Sequence, residues 1–182
     1  MKKLLSYLLK YKKIIKERLK NADKKNNRVY WECTETFKTV SKMTSTHLKI
    51  AQNGGINVFG SFNERYPRIS EEYIFQKDPD IIIKHAGRNA TQEEMKIIYY
   101  ELLNRDDIRS TRACKNNRIH IISWNILSGF YSIIGDLYLS RWINPDLFSD
   151  LDPDSIYYDL LKNHLEKKFA LPVYNKRLKD MK

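Results

Sequence analysis

The chain has 182 residues, 42% hydrophobic and 30% charged, with a formal net charge of +11. That length suits one domain with a sizeable core, the composition is that of a soluble globular protein, and no segment approaches the roughly 18 apolar residues a membrane span needs. The positive charge is confined to the ends: residues 1–28 hold 11 Lys/Arg against 2 acids and residues 167–182 hold 6 against 1, so residues 29–166 carry a net of −3.

Met1-Lys2-Lys3-Leu4-Leu5 starts like a secretory n-region, but the apolar run ends at Lys10 with no small-residue cleavage site, so no export signal is expected. Residues 2–22 read as an amphipathic helix, with Leu4, Leu8, Tyr11, Ile15 and Leu19 at helical spacing and lysines on the other faces. After polar residues 21–27, Arg28 to Cys33 is rich in β-formers and predicts a first strand. A second helix is expected near residues 42–53, stopped by Gly54-Gly55, and Asn57-Val58-Phe59 reads as a short second strand. Ser70 can cap a short helix with Glu71 and Glu72 at its positive end, and Asp80 to Lys84 is an apolar third strand. Thr91 and Glu94 form a capping box, opening a helix with Met95, Ile98, Tyr99 and Leu102 on one side. Arg118 to Ile122 predicts a fourth strand, Ser132 to Trp142 a helix ended by Asn144-Pro145, and Asp152-Pro153 starts a last helix. Strands alternating with helices predict an α/β fold with an open, mostly parallel sheet flanked by helices.

No catalytic signature is present: no GxSxG, P-loop, HExxH or GxGxxG. His47, His85, His120 and His164 are spread over different elements, and His120, alternating with Ile119 and Ile121, reads as a packed or edge histidine. Met43 and His47 lie one helical turn apart without a third partner, so neither a metal nor a cofactor is expected. Asp78-Pro79-Asp80 reads as a turn with solvated carboxylates. Cys33 and Cys114, the latter in a polar connection, lack CxxC spacing; one disulfide and two free thiols both remain open. Tyr66, Trp124, Phe130 and Tyr131 follow strands, where an open sheet places its ligand crevice, and stay open between core and ligand contact.

The ordered series Arg28-Val29-Tyr30, Gly54 to Phe59, Tyr66-Pro67-Arg68-Ile69-Ser70, Asp78 to Ile83, Lys115 to Ile119, Ser128-Gly129 and Leu137 to Pro153 resembles the C-terminal lobe of ABC-importer substrate-binding proteins for ferric siderophores, haem and cobalamin. The final stretch is similar to an iron-complex branch, and the likeness covers residues 28 to about 165. The resemblance implies one Rossmann-like lobe of a two-lobed protein (residues 28–182), preceded by a basic inter-lobe helix (residues 1–27), with the N-terminal lobe absent. It implies a solute-binding component without catalysis, an ABC permease subunit as partner, a metal-chelate ligand, and an extracytoplasmic location, periplasmic or cell-surface, for the full-length family. Residue by residue, it implies that Tyr66, Trp124, Ser128, Phe130 and Tyr131 face ligand and that Glu72 docks onto the permease. Phe130-Tyr131 stands where that branch has Pro-Arg, a departure that favours a flat or apolar ligand over an anionic one. A single lobe offers half of a closed site, which implies an exposed cleft face that a second copy could cover. The alternative is a module whose basic first helix binds nucleic acid or an anionic membrane surface, although no nucleic acid is expected for the importer reading.

Overall fold

Apolar runs whose side chains alternate between two covered faces build the sheet. A computed structural model describes residues 2–20, 26–165 and 172–174. Its strands are β1 (Asn27–Glu32), β2 (Gly55–Asn57), β3 (Ile81–Ala86), β4 (Ile119–Ser123) and β5 (Val173–Tyr174), in the order β2-β1-β3-β4-β5. The first four run parallel, and β5 adds an antiparallel edge that no sequence signal announced. Trp31 pairs with Ile83, Glu32 with Lys84, and His85 with Ile122.

One face holds Val29, Trp31, Ile81, Ile83 and Ile122, covered by α1 (Lys2–Lys20), α2 (Ser45–Gln52), α7 (Ser132–Ile143) and α8 (Pro153–Leu160). The other holds Tyr30, Ile82, Ile119 and Ile121, covered by α3 (Glu71–Lys77), α4 (Gln92–Leu103), α5 (Asp106–Arg109) and α6 (Arg112–Lys115). In α1 the expected stripe packs inward: Tyr11 and Ile15 are buried, with Leu4, Leu8 and Leu19 against the same core. The capping box of α4 forms as expected, and Asp152 caps α8 ahead of Pro153.

Several boundaries differ for local reasons. Helix α2 starts at Ser45 because Thr44, extended, accepts the His47 N–H. Gly54, at φ +83, ends it, and Gly55 passes directly into β2 opposite Asn27. The second strand is therefore residues 55–57, because Asn57 accepts the Phe59 N–H and turns the chain there. Ser70 sits at the N-cap of α3 without a capping side-chain bond. The connection holding Cys114 is instead α5 and α6, anchored by fully buried Ile108 and Ala113. Both cysteines are free, and burial pushes the Cys33 thiol up to about 11. The Asp78 side chain stays solvent-exposed, as the turn reading expects, whereas Asp80 is half-buried; Arg112 reaches both, at 2.8 and 2.9 Å, and Asp80 accepts the Arg28 N–H at 2.9 Å. Residues 21–25 and the basic tail, apart from 172–174, lie outside the described residues.

Candidate functional site

The chain runs from β1 outward to β2 and then returns past β1 to β3, so its direction reverses between β1 and β3. In an open parallel sheet, loops diverge at that reversal and leave a crevice beyond the strands' carboxyl ends. The side chains at those ends are Trp31, Glu32 and Cys33 from β1 and Lys84, His85 and Ala86 from β3. Alternation sends Trp31 and His85 to one face, Glu32 and Lys84 to the other.

On the first face, the Trp31 indole N–H donates to Nδ1 of His85 at 3.0 Å. Trp124, in a 3-10 turn (Trp124–Ile126) after β4, tilts over the His85 ring with centroids 4.8 Å apart. Burial, then the charge of Lys84, pushes the His85 imidazole down to about 4, so the ring is neutral at physiological pH. Gly135 of α7 positions Trp124's turn: a Cβ there would lie 2.4 Å from the Ile126 carbonyl oxygen.

On the second face, Glu32 is fully buried. It meets Lys84 Nζ at 2.6 Å, Arg105 at 2.8 and 2.9 Å, the Tyr30 hydroxyl at 2.6 Å and the Phe37 N–H at 3.2 Å. Arg105 also pairs with Asp107 at 2.6 Å and lies over the Phe37 ring. Burial opposes ionisation of Glu32, but Lys84 and Arg105 outweigh it and hold the carboxylate below its usual range. Every charge here has a partner, so the cluster ties β1, β3 and the α4–α5 turn together.

The residues singled out by sequence occupy separate loops. Tyr66 follows β2 at the sheet edge, exposed and beneath the Arg65 guanidinium. Trp124 follows β4, three strands away, about 14 Å at ordinary strand spacing. Ser128 and Phe130 are exposed, Phe130 at 71%, around Gly129 at φ +65. Tyr131 is half-buried with its ring edge-on to Tyr157 of α8. Glu72 is exposed in the first turn of α3, held below the usual carboxylate range by Ser70 and its own backbone N–H. Sequence reading missed Trp31 and His85 as a pair; each is the last residue but one of its strand, and their meeting across adjacent parallel strands is a tertiary fact. His120 stacks on Trp142 at 4.3 Å, as a packed histidine. His47 meets Asn57 while Met43 is exposed, and no group of three or more His, Cys, Asp or Glu among the described residues could hold a metal ion.

A separate cavity of 450 Å³ lies between α1, α2 and α7, lined by Lys12, Lys16, Lys20, Ile15, Leu19 and Ile133 among others. No described helix is long and apolar enough to cross a membrane.

No protein-family model and no curated protein matches the sequence. Solved structures do match. A TroA-like periplasmic binding protein, FepB from Veillonella parvula, superposes with a TM-score of 0.86 at 15% identity, over 96% of this chain and 56% of that one. Helicobacter pylori CeuE with Ni(II) bound gives 0.71 at 19%, over 92% and 53%. Molybdate-bound MolA, the periplasmic binding protein of a Haemophilus influenzae ABC transporter, gives 0.73 at 16%, over 92% and 51%. The chain thus spans little more than half of each relative. Its fold is that of part of these periplasmic binding proteins.

Proposed function

We propose that this chain is the C-terminal, ligand-binding lobe of an ABC importer's solute-binding protein, acting outside the cytoplasmic membrane on a metal chelate such as a ferric siderophore, haem or a corrinoid. The observation that carries this reading is the aromatic group Trp31–His85–Trp124 at the point where the strand order reverses, the place a parallel sheet leaves open for ligand. Trp124 offers an indole face, Phe130 and Ser128 an exposed loop beside it, Tyr131 the base of that loop, and Tyr66 an aromatic from the far edge. Such a surface suits a flat ligand. Glu72, on the exposed side of α3, is the charge offered to the permease. One lobe supplies half of a closed site, so a second lobe or a second copy completes the burial of ligand.

Tryptophan fluorescence tests it: titration with a ferric siderophore, haemin or cobalamin should quench Trp124, and quenching should fall in Trp124→Phe. An unchanged spectrum with all three sinks the reading. A second reading rests on Lys12, Lys16 and Lys20, which have no ion-pair partner among the described residues and line one cavity. Salt-sensitive binding to anionic vesicles or DNA, lost when these three become Gln, would favour it.

A further inference from the structure

His85 carries more information than its type suggests. Trp31 is fully buried, and its indole N–H, which can only donate, points at Nδ1 of His85 at 3.0 Å. Nδ1 must therefore hold its lone pair, and the neutral ring carries its proton on Nε2. Trp124 lies against the same ring at 49° and limits its rotation. Among the described residues no acceptor meets Nε2–H. The charged neighbour on the same strand, Lys84, is committed to Glu32 and the Cys33 carbonyl on the opposite face. What remains is a neutral donor, fixed in plane and tautomer, at the reversal between β1 and β3.

We propose that His85 is a ligand-contacting hydrogen-bond donor whose tautomer is set by Trp31, and that the cleft therefore takes a chelate presenting oxygen acceptors rather than a bare metal ion. The proposal rests on the reading of this strand-end cleft as the ligand site. A bare transition metal needs the Nε2 lone pair. To supply it, the proton would move to Nδ1 and the Trp31 N–H would lose its acceptor inside the core. An oxygen acceptor needs no such change, because the N–H is already in place and already oriented. Trp31 is thus a positioning residue, and His85 adds a polar selector to the aromatic surface.

The test uses the full chain and two diamagnetic probes, uncharged gallium(III) tris-hydroxamate and Zn(II). Long-range proton–nitrogen spectra of the imidazoles at neutral pH should show His85 as the Nε2–H tautomer. Gallium tris-hydroxamate should shift the Nε2 resonance, and Zn(II) should leave both His85 nitrogens unmoved. His85→Phe should weaken tris-hydroxamate binding about tenfold or more, and His85→Gln, which keeps an N–H donor, should restore most of it. An Nδ1–H tautomer, Zn(II) bound at Nε2, or equal tris-hydroxamate binding by wild type and His85→Phe would each overturn the donor role while leaving the cleft in place. No tris-hydroxamate binding by the wild type would count against the cleft itself, and the donor role would fall with it. The tautomer measurement needs no variant, so it stands even if His85→Phe fails to fold.

Discussion

Two clusters occupy the same strand ends, one residue out of step, and they differ in what they leave unsatisfied. Glu32 and Lys84 point into the face covered by α3 to α6, where Arg105, Tyr30 and Phe37 use every lone pair and charge. Trp31 and His85 point to the other face, where one bond is made and, among the described residues, one donor is left over. A saturated polar cluster holds structure together, whereas a pre-oriented group without a partner is available to a ligand. The period of two in a strand is what allows both at one place.

The largest effect should come from breaking the saturated side. Glu32→Ala leaves Lys84 buried without its counter-charge and Arg105 with Asp107 alone, at a cost of about 3–5 kcal/mol read from the urea midpoint. If stability falls by less than about 1 kcal/mol, the cluster does not tie the strands.

Acid should separate the two sides by pH. His85 has a folded pKa near 4 against 6.5 unfolded, so the unfolded chain binds the extra proton first. Stability should fall as pH drops from 6.5 towards 4, by on the order of 3 kcal/mol. Glu32, depressed below the ordinary range, adds stability that is present above its unfolded pKa and lost as pH falls through its lower folded value. His85→Phe should abolish the upper window and keep the lower one. Survival of the upper window in that variant would assign it to another group.

A smaller effect is expected at the support of the aromatic side. Gly135→Ala puts a methyl against the Ile126 carbonyl and should cost about 1–3 kcal/mol, with a shifted Trp124 emission maximum. An unmoved maximum would mean that this contact does not set the turn.

The smallest stability changes belong to the exposed residues. Phe130→Ser and Glu72→Ala should each alter stability by less than about 0.5 kcal/mol. Phe130→Ser should nevertheless weaken fluorescence quenching by haemin, and Glu72→Ala should leave it unchanged. Loss of quenching in the Glu72 variant would remove the distinction between cleft and docking face.

Much of the frame was legible because it is local. The stripe on α1, the Thr91–Glu94 box and the Asp152-Pro153 start are short-range signals, and each forms where expected. The second strand slipped by two residues because Asn57, an unremarkable polar residue in sequence, uses its side chain to turn the backbone. Helices α5 and α6 are four residues each, too short for periodicity to register, and β5 is two residues pinned by its partner β4. Trp124, Phe130 and Tyr131 drew attention in the sequence from their place after a strand, whereas Trp31 read only as a strand residue and His85 only as a scattered histidine.

From the sequence by itself came the alternation of strand and helix, the mildly acidic middle between basic ends, and the loops in which ligand-facing aromatics could sit. Those follow from propensity, capping and hydrophobic period, all of which act over a few residues. Only the tertiary structure decided that positions 31 and 85, 54 residues apart, share a hydrogen bond, and that positions 32 and 84 share a buried charge pair. Strand register and the choice of face are set by packing across the whole sheet. No window along the chain contains that information.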